Sequence, residues 1–367
     1  MSPQAQVPST TKAIIIKQHA HAAGTPVYHD APLVGQPIPA LKEGDVLVKI
    51  TAAGFNHREL WTRKGQYPNV VSGSTLGADG AGVVVASSDA SDTLLNKRVV
   101  LVPTRGWESD PNGPESPRGL GILGGGNNPP IGTFTEYVVV ERDQLVLTPD
   151  HLDDVQAASL PVAAVTAWRA ITVSARVQPG DNVLITGIGG GVALLALQIC
   201  VVLGANVYVS SGNDAKVAKA VQLGAKGGVN YRQKDWPVQL GKLLKANGKG
   251  LLHSVIDSAG GPITLQTSKV LRTGGRIVCF GMTVAPQVPF TMREVLKGHQ
   301  LLGSTMGSHE DFVNAMNFIS ERRIVPVISH VLPGLEAAEQ GFELLKAGEQ
   351  LGKIVIKLDG RPTQAKL

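Results

Sequence analysis

The chain has 367 residues, of which 43 are glycine and 23 proline, with 43% hydrophobic, 17% charged and 4% aromatic side chains. Ordinary chains carry about 7% glycine and about 25% charged residues; this balance excludes a charge-solvated disordered chain, and glycine without a three-residue period excludes collagen. The net charge of +5 comes from scattered Lys and Arg, which matches neither a nucleic-acid stripe nor a polybasic membrane patch. The length predicts about two domains. The longest apolar stretch, Val192 to Leu203, is broken by Gln198 and falls short of the roughly 20 residues a membrane span needs. The opening segment MSPQAQVPSTTK lacks the apolar core of a secretory signal. Cys200 and Cys279 lie in apolar runs, as buried thiols of a reducing compartment do. A soluble cytoplasmic protein is expected, with no nucleic-acid or membrane partner.

Residues 12–150 read mostly as β-structure. Val46 to Ile50, Gly82 to Ala86, Arg98 to Val102 and Tyr137 to Val140 are β-branched runs bounded by Gly, Pro and Asp. Between the last two lies an aperiodic loop, 103–132, with six prolines and eight glycines; loops of that length are often functional. From Gln178 onward strands and helices alternate. Strands are predicted at Val183 to Thr186, Asn206 to Ser211, Ser254 to Asp257 and Arg276 to Phe280. Helices are predicted at Val192 to Leu203, Asp214 to Leu223, Pro237 to Ala246 and Ile263 to Leu271. Glycines 204 and 224 supply the left-handed helix stops, and the helix from Ile263 is expected to end at Gly274-Gly275. This alternation predicts a doubly wound parallel sheet. The tail returns to short strands (Ile324 to Val331, Ile354 to Leu358) around a helix, Leu335 to Ala347. The expected division is 1–158 with 325–367 as one domain and 159–324 as the other.

The strand at Val183 runs directly into Gly187-Ile188-Gly189-Gly190-Gly191-Val192-Ala193 and then a helix. A phosphate loop needs that context, with a tight turn, bare backbone and a helix N-terminus aimed at the pyrophosphate. NAD binders add an acid about 20 residues on, at the end of the second strand. Here that place reads Ser210-Ser211-Gly212. No carboxylate repels a 2′-phosphate, Lys216 and Tyr231 could meet one, and Asp214 reads as a helix N-cap. NADPH is therefore the expected cofactor, with NADH second.

Gly54-Phe55-Asn56-His57, Leu76 to Gly82, Leu160-Pro161 with Thr166-Ala167-Trp168, the 187–193 loop and Gly352-Lys353-Ile354-Val355 together resemble the medium-chain dehydrogenase/reductase superfamily over essentially the whole chain. The resemblance implies an α/β fold in which a Rossmann domain interrupts a GroES-like β-rich catalytic domain, with the active site in the cleft between them. Zinc alcohol dehydrogenases of that superfamily hold catalytic zinc through Cys, His and Cys. The matching positions are Asn56, Ala78 and Val162, none of which offers a thiolate or imidazole. The segment matching the structural zinc lobe, 103–132, has no cysteine. No metal is expected, and His19 and His21 read as ordinary polar residues.

What remains resembles the zinc-independent quinone oxidoreductase branch. By that resemblance Asn56 lies near the nicotinamide, and Thr166, Gly187, Gly189, Gly190, Gly191, Val192, Ser211, Gly212, Lys216, Tyr231, Ser258, Phe280, Gly281 and Lys353 line the cofactor. Tyr67 matches a tyrosine that donates a proton or orients the acceptor in related enoyl reductases; the alternative is a plain cleft wall. Trp61, Trp107 and the long loop shape an acceptor pocket or simply pack. The implied activity is hydride transfer to an electrophilic small molecule, a quinone or α,β-unsaturated carbonyl. The alternatives are an NADPH-binding protein with little turnover and an alcohol dehydrogenase-like activity. The resemblance also implies a homodimer, with Gln300 to Ser304 as the candidate edge strand. The final Ala365-Lys366-Leu367 approximates a peroxisomal address, as an alternative to the cytoplasm.

Overall fold

The computed structural model describes residues 8–20, 25–248 and 250–358. His21 and the tripeptide Ala365-Lys366-Leu367 lie outside them. The strands, in chain order, are β1 (Thr10–Ile14), β2 (Leu33–Pro37), β3 (Asp45–Gly54), β4 (Asp79–Ser87), β5 (Arg98–Leu101), β6 (Thr104–Arg105), β7 (Gly121–Ile122), β8 (Tyr137–Glu141) and β9 (Leu145–Leu147). Then follow β10 (Asn182–Ile185), β11 (Asn206–Ser211), β12 (Gly227–Asn230), β13 (Leu252–Asp257), β14 (Leu271–Cys279) and β15 (Gln300–Gly303). The last two are β16 (Ile328–Pro333) and β17 (Lys353–Lys357). Contacts divide the chain into two units. One holds the described residues up to Val162, Ser308–Met316 and those from Ile328 onward; the other holds Ala163–Gly307 and Asn317–Val327.

The first unit is built on a mainly antiparallel sheet in the order β16-β17-β3-β4-β5-β9, with β8 also beside β3. Its core is built on β3, which is buried nearly throughout, and on its neighbours, with Val46, Val48, Ile50, Val84 and Val99 all buried. Register matters most at Gly54, which pairs with Asp79 of β4 and with Val355 of β17. A Cβ there would lie 2.6 Å from the Ala158 carbonyl oxygen and 3.1 Å from Asp79 Cβ, so only glycine lets these backbones approach. The helix α1 (His57–Arg63) starts three residues later.

The second unit is a six-stranded parallel sheet in the order β12-β11-β10-β13-β14-β15. Numbered within the unit this is 3-2-1-4-5-6, whose direction reverses beside its first strand; ligands bind at that switch point, outside the strands' carboxyl ends. Val183, Leu184 and Ile185 are buried, as expected for central parallel strands. One core cluster joins Tyr208, Trp236, Leu240, Leu244, Val255 and Ile277. The longest apolar stretch forms α2 (Gly191–Val202), with Leu194, Leu195, Leu197, Ile199 and Cys200 buried. Among the described residues no helix is long and apolar enough to cross a membrane.

Several sequence expectations shift. The helix expected at Ile263 to Leu271 stops at Thr267, and Leu271 already belongs to β14. That strand runs through Gly274-Gly275 with a register break opposite Leu252 and Ser254, so these glycines mark an irregular strand rather than a helix stop. Asp214 is not the cap of its helix, α3 (Asp214–Gln222). Asn213 is, with an extended backbone and Oδ1 accepting the Ala215 N–H at 2.8 Å. The strand expected from Ile324 begins only at Ile328. Helices at Pro161–Trp168 and His309–Glu321, and a π-helical turn at Arg169–Ala175, have no counterpart in the expectations. Cys200 is buried and Cys279 half-buried, both free. Burial pushes both thiols up to about 12, aided at Cys279 by the Asp257 carboxylate.

Candidate functional site

In the second unit the predicted phosphate loop leaves the C-terminal end of β10. Gly187 adopts φ +64°, and a Cβ there would lie 2.6 Å from Ser258 Oγ. Gly190 caps α2 with no side-chain hydrogen bond and no acid in the first turn, so the helix N-terminus keeps unclaimed N–H groups. The nearest atom to a Cβ on Gly190 would be 3.7 Å away; the protein itself tolerates a side chain there. Thr186 Oγ1 braces the loop by donating to Asp257 Oδ1 at 2.7 Å, and the Gly260 N–H donates to Asp257 Oδ2 at 2.7 Å. Burial pushes the Asp257 carboxyl up, while those hydrogen bonds pull it back. The Ser258 N–H donates to Thr186 Oγ1 at 3.1 Å, and a Cβ on Gly281 would lie 2.8 Å from Ser258 O. Phe280 N–H donates to the Asp257 carbonyl at 2.9 Å. The structure thus gathers Gly187, Gly189, Gly190, Gly191, Val192, Ser258, Phe280 and Gly281 around the ends of β10, β13 and β14. Thr166 is buried with its hydroxyl 3.7 Å from Met306 Sδ.

The end of β11 carries the second part. Tyr231 N–H donates to the Ser211 carbonyl at 3.0 Å. A Cβ on Gly212 would meet Tyr231 Oη at 2.8 Å and Arg232 Nε at 2.9 Å. A phenol and a guanidinium therefore converge over Gly212, while Lys216 is half-buried on α3. Asp214, at the start of α3, accepts from Asn230 Nδ2 at 2.9 Å. Arg232 was missed by the sequence reading. Its signal was its position next to Tyr231, at the end of the third strand.

The first unit holds a separate constellation. Lys353, on β17, donates from Nζ to Asp79 Oδ2 at 2.7 Å and to Asn56 Oδ1 at 2.6 Å. Asp79 is wholly buried and Lys353 nearly so, and Asp79 Oδ1 also accepts the Val162 N–H at 2.7 Å. Asn56 N–H donates to Glu59 Oε2 at 2.7 Å. Arg58 donates to Glu59 Oε1 at 2.8 Å and to the carbonyls of Leu123 and Gly124 at 2.7 and 2.8 Å. Its guanidinium lies 4.7 Å from the centre of the half-buried Tyr67 ring. Burial, reinforced by the Asp79 carboxylate, holds the Glu59 carboxyl above its usual range against the pull of Arg58. The Arg58–Glu59 pair left no periodicity for sequence reasoning to find. Trp107 is buried and donates from Nε1 to Asp110 O at 2.7 Å.

The two implied ligands fit differently. The bare Gly190 cradle and the N-terminus of α2, which no side chain caps, suit a pyrophosphate. Zinc does not suit Asn56, Ala78 and Val162: the one side-chain oxygen among them already receives a lysine ammonium, and a cation so close repels a metal. Among the described residues no group of three or more His, Cys, Asp or Glu is placed to hold a metal ion.

Sheet order and loop define the class, a Rossmann dinucleotide-binding fold joined to a second, β-rich unit. The family model for the alcohol dehydrogenase GroES-like domain matches residues 42–150, and that for zinc-binding dehydrogenase matches 191–321. The chain is 41% identical to the zinc-type alcohol dehydrogenase-like protein YogA of Leptosphaeria maculans, over 92% of this chain and 97% of that one. It is 32% identical to a zinc-type alcohol dehydrogenase-like protein of Schizosaccharomyces pombe, over 87% and 92%. A crystal structure of an NAD-dependent alcohol dehydrogenase superposes with a TM-score of 0.82 at 30% identity, covering 95% of this chain and 99% of that one. The chain belongs to the medium-chain dehydrogenase/reductase superfamily and is an oxidoreductase of that superfamily.

Proposed function

We propose that the protein is a zinc-independent reductase that uses NADPH to reduce a quinone or an α,β-unsaturated carbonyl. The observation that carries this reading is the Lys353 ammonium on Asn56 and Asp79, because it occupies the one side-chain oxygen that the three zinc-matching positions offer. Alcohol oxidation requires help toward the alkoxide, which a Lewis acid ordinarily gives. An already electrophilic acceptor needs positioning and one proton. The dinucleotide, when bound, supplies the hydride.

Gly187, Gly189, Gly190, Gly191 and Val192 would take the pyrophosphate. Ser211, Gly212, Lys216, Tyr231 and Arg232 would take the 2′-phosphate, and Thr166, Ser258, Phe280 and Gly281 the remainder. Lys353 was read from resemblance as a cofactor residue; its ammonium is committed to Asp79 and Asn56, which favours a role in holding Asn56. Tyr67, stacked on Arg58, is the proposed proton donor or orienting group. A homodimer through the second unit is also proposed. Edge strand β15 carries no charged side chain, and the preceding Met292 and Leu296 are 64% and 82% exposed.

The test is NADPH oxidation by the purified protein across quinones, enals and enones. Turnover with at least one class is expected, and none with any would end the proposal. Tight NADPH binding without turnover would point to a binding protein instead. The relatives' names favour a second reading, alcohol dehydrogenase-like activity with NAD; stoichiometric zinc by elemental analysis, with alcohol oxidation, would establish it.

A further inference from the structure

An ammonium can only donate hydrogen bonds, so the amide of Asn56 must turn its oxygen toward Lys353 Nζ and its NH2 group away. That Nδ2 atom is buried and has no hydrogen-bond partner among the described residues, although buried amide donors are nearly always paired. The surroundings leave little freedom to turn. The Asn56 N–H is held by Glu59, the Phe55 N–H donates to the Ile354 carbonyl at 2.9 Å, and Lys353 is itself anchored by Asp79. A charged donor on Oδ1 also draws electron density from the amide and strengthens its N–H groups as donors.

We propose that Lys353 is a positioning residue, whose ammonium fixes the Asn56 amide so that its NH2 group donates to the carbonyl or quinone oxygen of the acceptor. The inference rests on the reductase reading above. As hydride from the reduced dinucleotide forms the new C–H bond at the β-carbon, the C=C electron pair moves toward the carbonyl oxygen. A proton then reaches the α-carbon; the acceptor is reduced and the dinucleotide oxidised. A donor fixed on that oxygen favours the enolate over the ketone. Asp79 holds the ammonium in place.

Three variants test this. Asn56→Asp keeps the shape and can still pair with Lys353, but has no N–H to donate. Lys353→Met combined with Asp79→Asn removes the positioning cation without stranding a buried charge. The same pair in an Asn56→Ala background shows whether Lys353 acts through Asn56. Expected are falls in kcat of about 100-fold for Asn56→Asp and of about tenfold or more for the neutral pair, with NADPH affinity and thermal midpoint near wild type and little further loss in the Asn56→Ala background. A second readout is binding of 4-nitrophenolate to the NADP+-loaded protein, followed by absorbance; it should weaken about tenfold or more in the same variants. The proposal is overturned if Asn56→Asp keeps wild-type kcat and phenolate affinity, or if the neutral pair acts as strongly without Asn56 as with it. A wild-type protein that turns over no acceptor would refute the reductase reading, and the phenolate titration would still decide the role of the amide.

Discussion

Arg58→Met removes a guanidinium whose side chain is 10% exposed from a carboxylate that is fully buried, at 2.8 Å. Breaking a buried pair from one side destabilises by about 3–5 kcal/mol, because the remaining charge has no compensation. The carbonyls of Leu123 and Gly124 lose their donor as well. The effect depends on pH, with a definite sign. The Glu59 carboxyl is raised by burial, opposed by Arg58 and supported by Asp79. A carboxyl raised on folding binds a proton that the unfolded chain has released. Its contribution is therefore complete below the ordinary carboxyl range and is lost as pH rises through the folded value. Without Arg58 the carboxyl rises further, so the penalty grows between weakly acidic and alkaline pH by about 1.4 kcal/mol per unit of added shift. Urea unfolding of wild type and variant at about pH 5.5 and 8 measures this. A penalty below about 1 kcal/mol at both pH values, or an equal penalty at both, would refute the claim that Glu59 is a desolvated carboxylate balanced by Arg58.

Arg232→Ala should raise the KM for NADPH by about 10- to 150-fold, the range of one lost charge-assisted hydrogen bond, and leave that for NADH nearly unchanged; steady-state kinetics with both cofactors decides it. Gly190→Ala should fold within about 1 kcal/mol of wild type, since its Cβ would make only an ordinary contact at 3.7 Å, yet weaken NADPH binding about tenfold or more by filling the cradle. Gly187→Ala should instead lose about 1–2 kcal/mol of stability from its left-handed backbone alone, and more from the clash with Ser258; thermal melts beside fluorescence titrations separate the two cases. Glu115 accepts the backbone N–H groups of Ser109, Asp110 and Glu108, which pull its carboxyl down to about 2. The turn they form is intact above the ordinary carboxyl range and loosens only as pH falls toward that value. Limited proteolysis should therefore show faster cutting within 103–132 for Glu115→Gln at neutral pH, and an unchanged rate would count against the turn.

The parallel sheet was legible because β10, β11 and β13 are short apolar runs, each ending near glycine or a polar turn. The phosphate loop was legible because its glycines fall between a strand and a helix. Boundaries failed where one residue type serves two purposes. Gly274-Gly275 reads as a helix stop, yet it sits inside β14, where the strand slips register. Asp214 and Asn213 are both good caps, and only the backbone angles choose between them. The constellation around Asn56 was legible residue by residue but not as a unit. Lys353 reaches Asn56 and Asp79 from far along the chain because β17 and β4 both pair with β3 at Gly54, and local pattern carries no trace of that register. Arg232 was hidden for a plainer reason, since an exposed arginine after a strand reads as a solvated side chain until Gly212 is seen beneath it.

The bare backbone at Gly212 bears on how cofactor choice can drift. In an NAD-preferring relative an acid at this strand end would hold the ribose hydroxyls. Here the first carbon of any side chain at 212 would arrive 2.8 Å from Tyr231 Oη and 2.9 Å from Arg232 Nε. Gly212→Asp would be drawn into an ion pair with Arg232 and forced against Tyr231, leaving the ribose unserved and the guanidinium neutralised. On the NADPH reading proposed above, a single substitution there loses one cofactor without gaining the other. If the cofactor is NADPH, as proposed, a switch to NADH therefore calls for a change at position 232 as well as at 212.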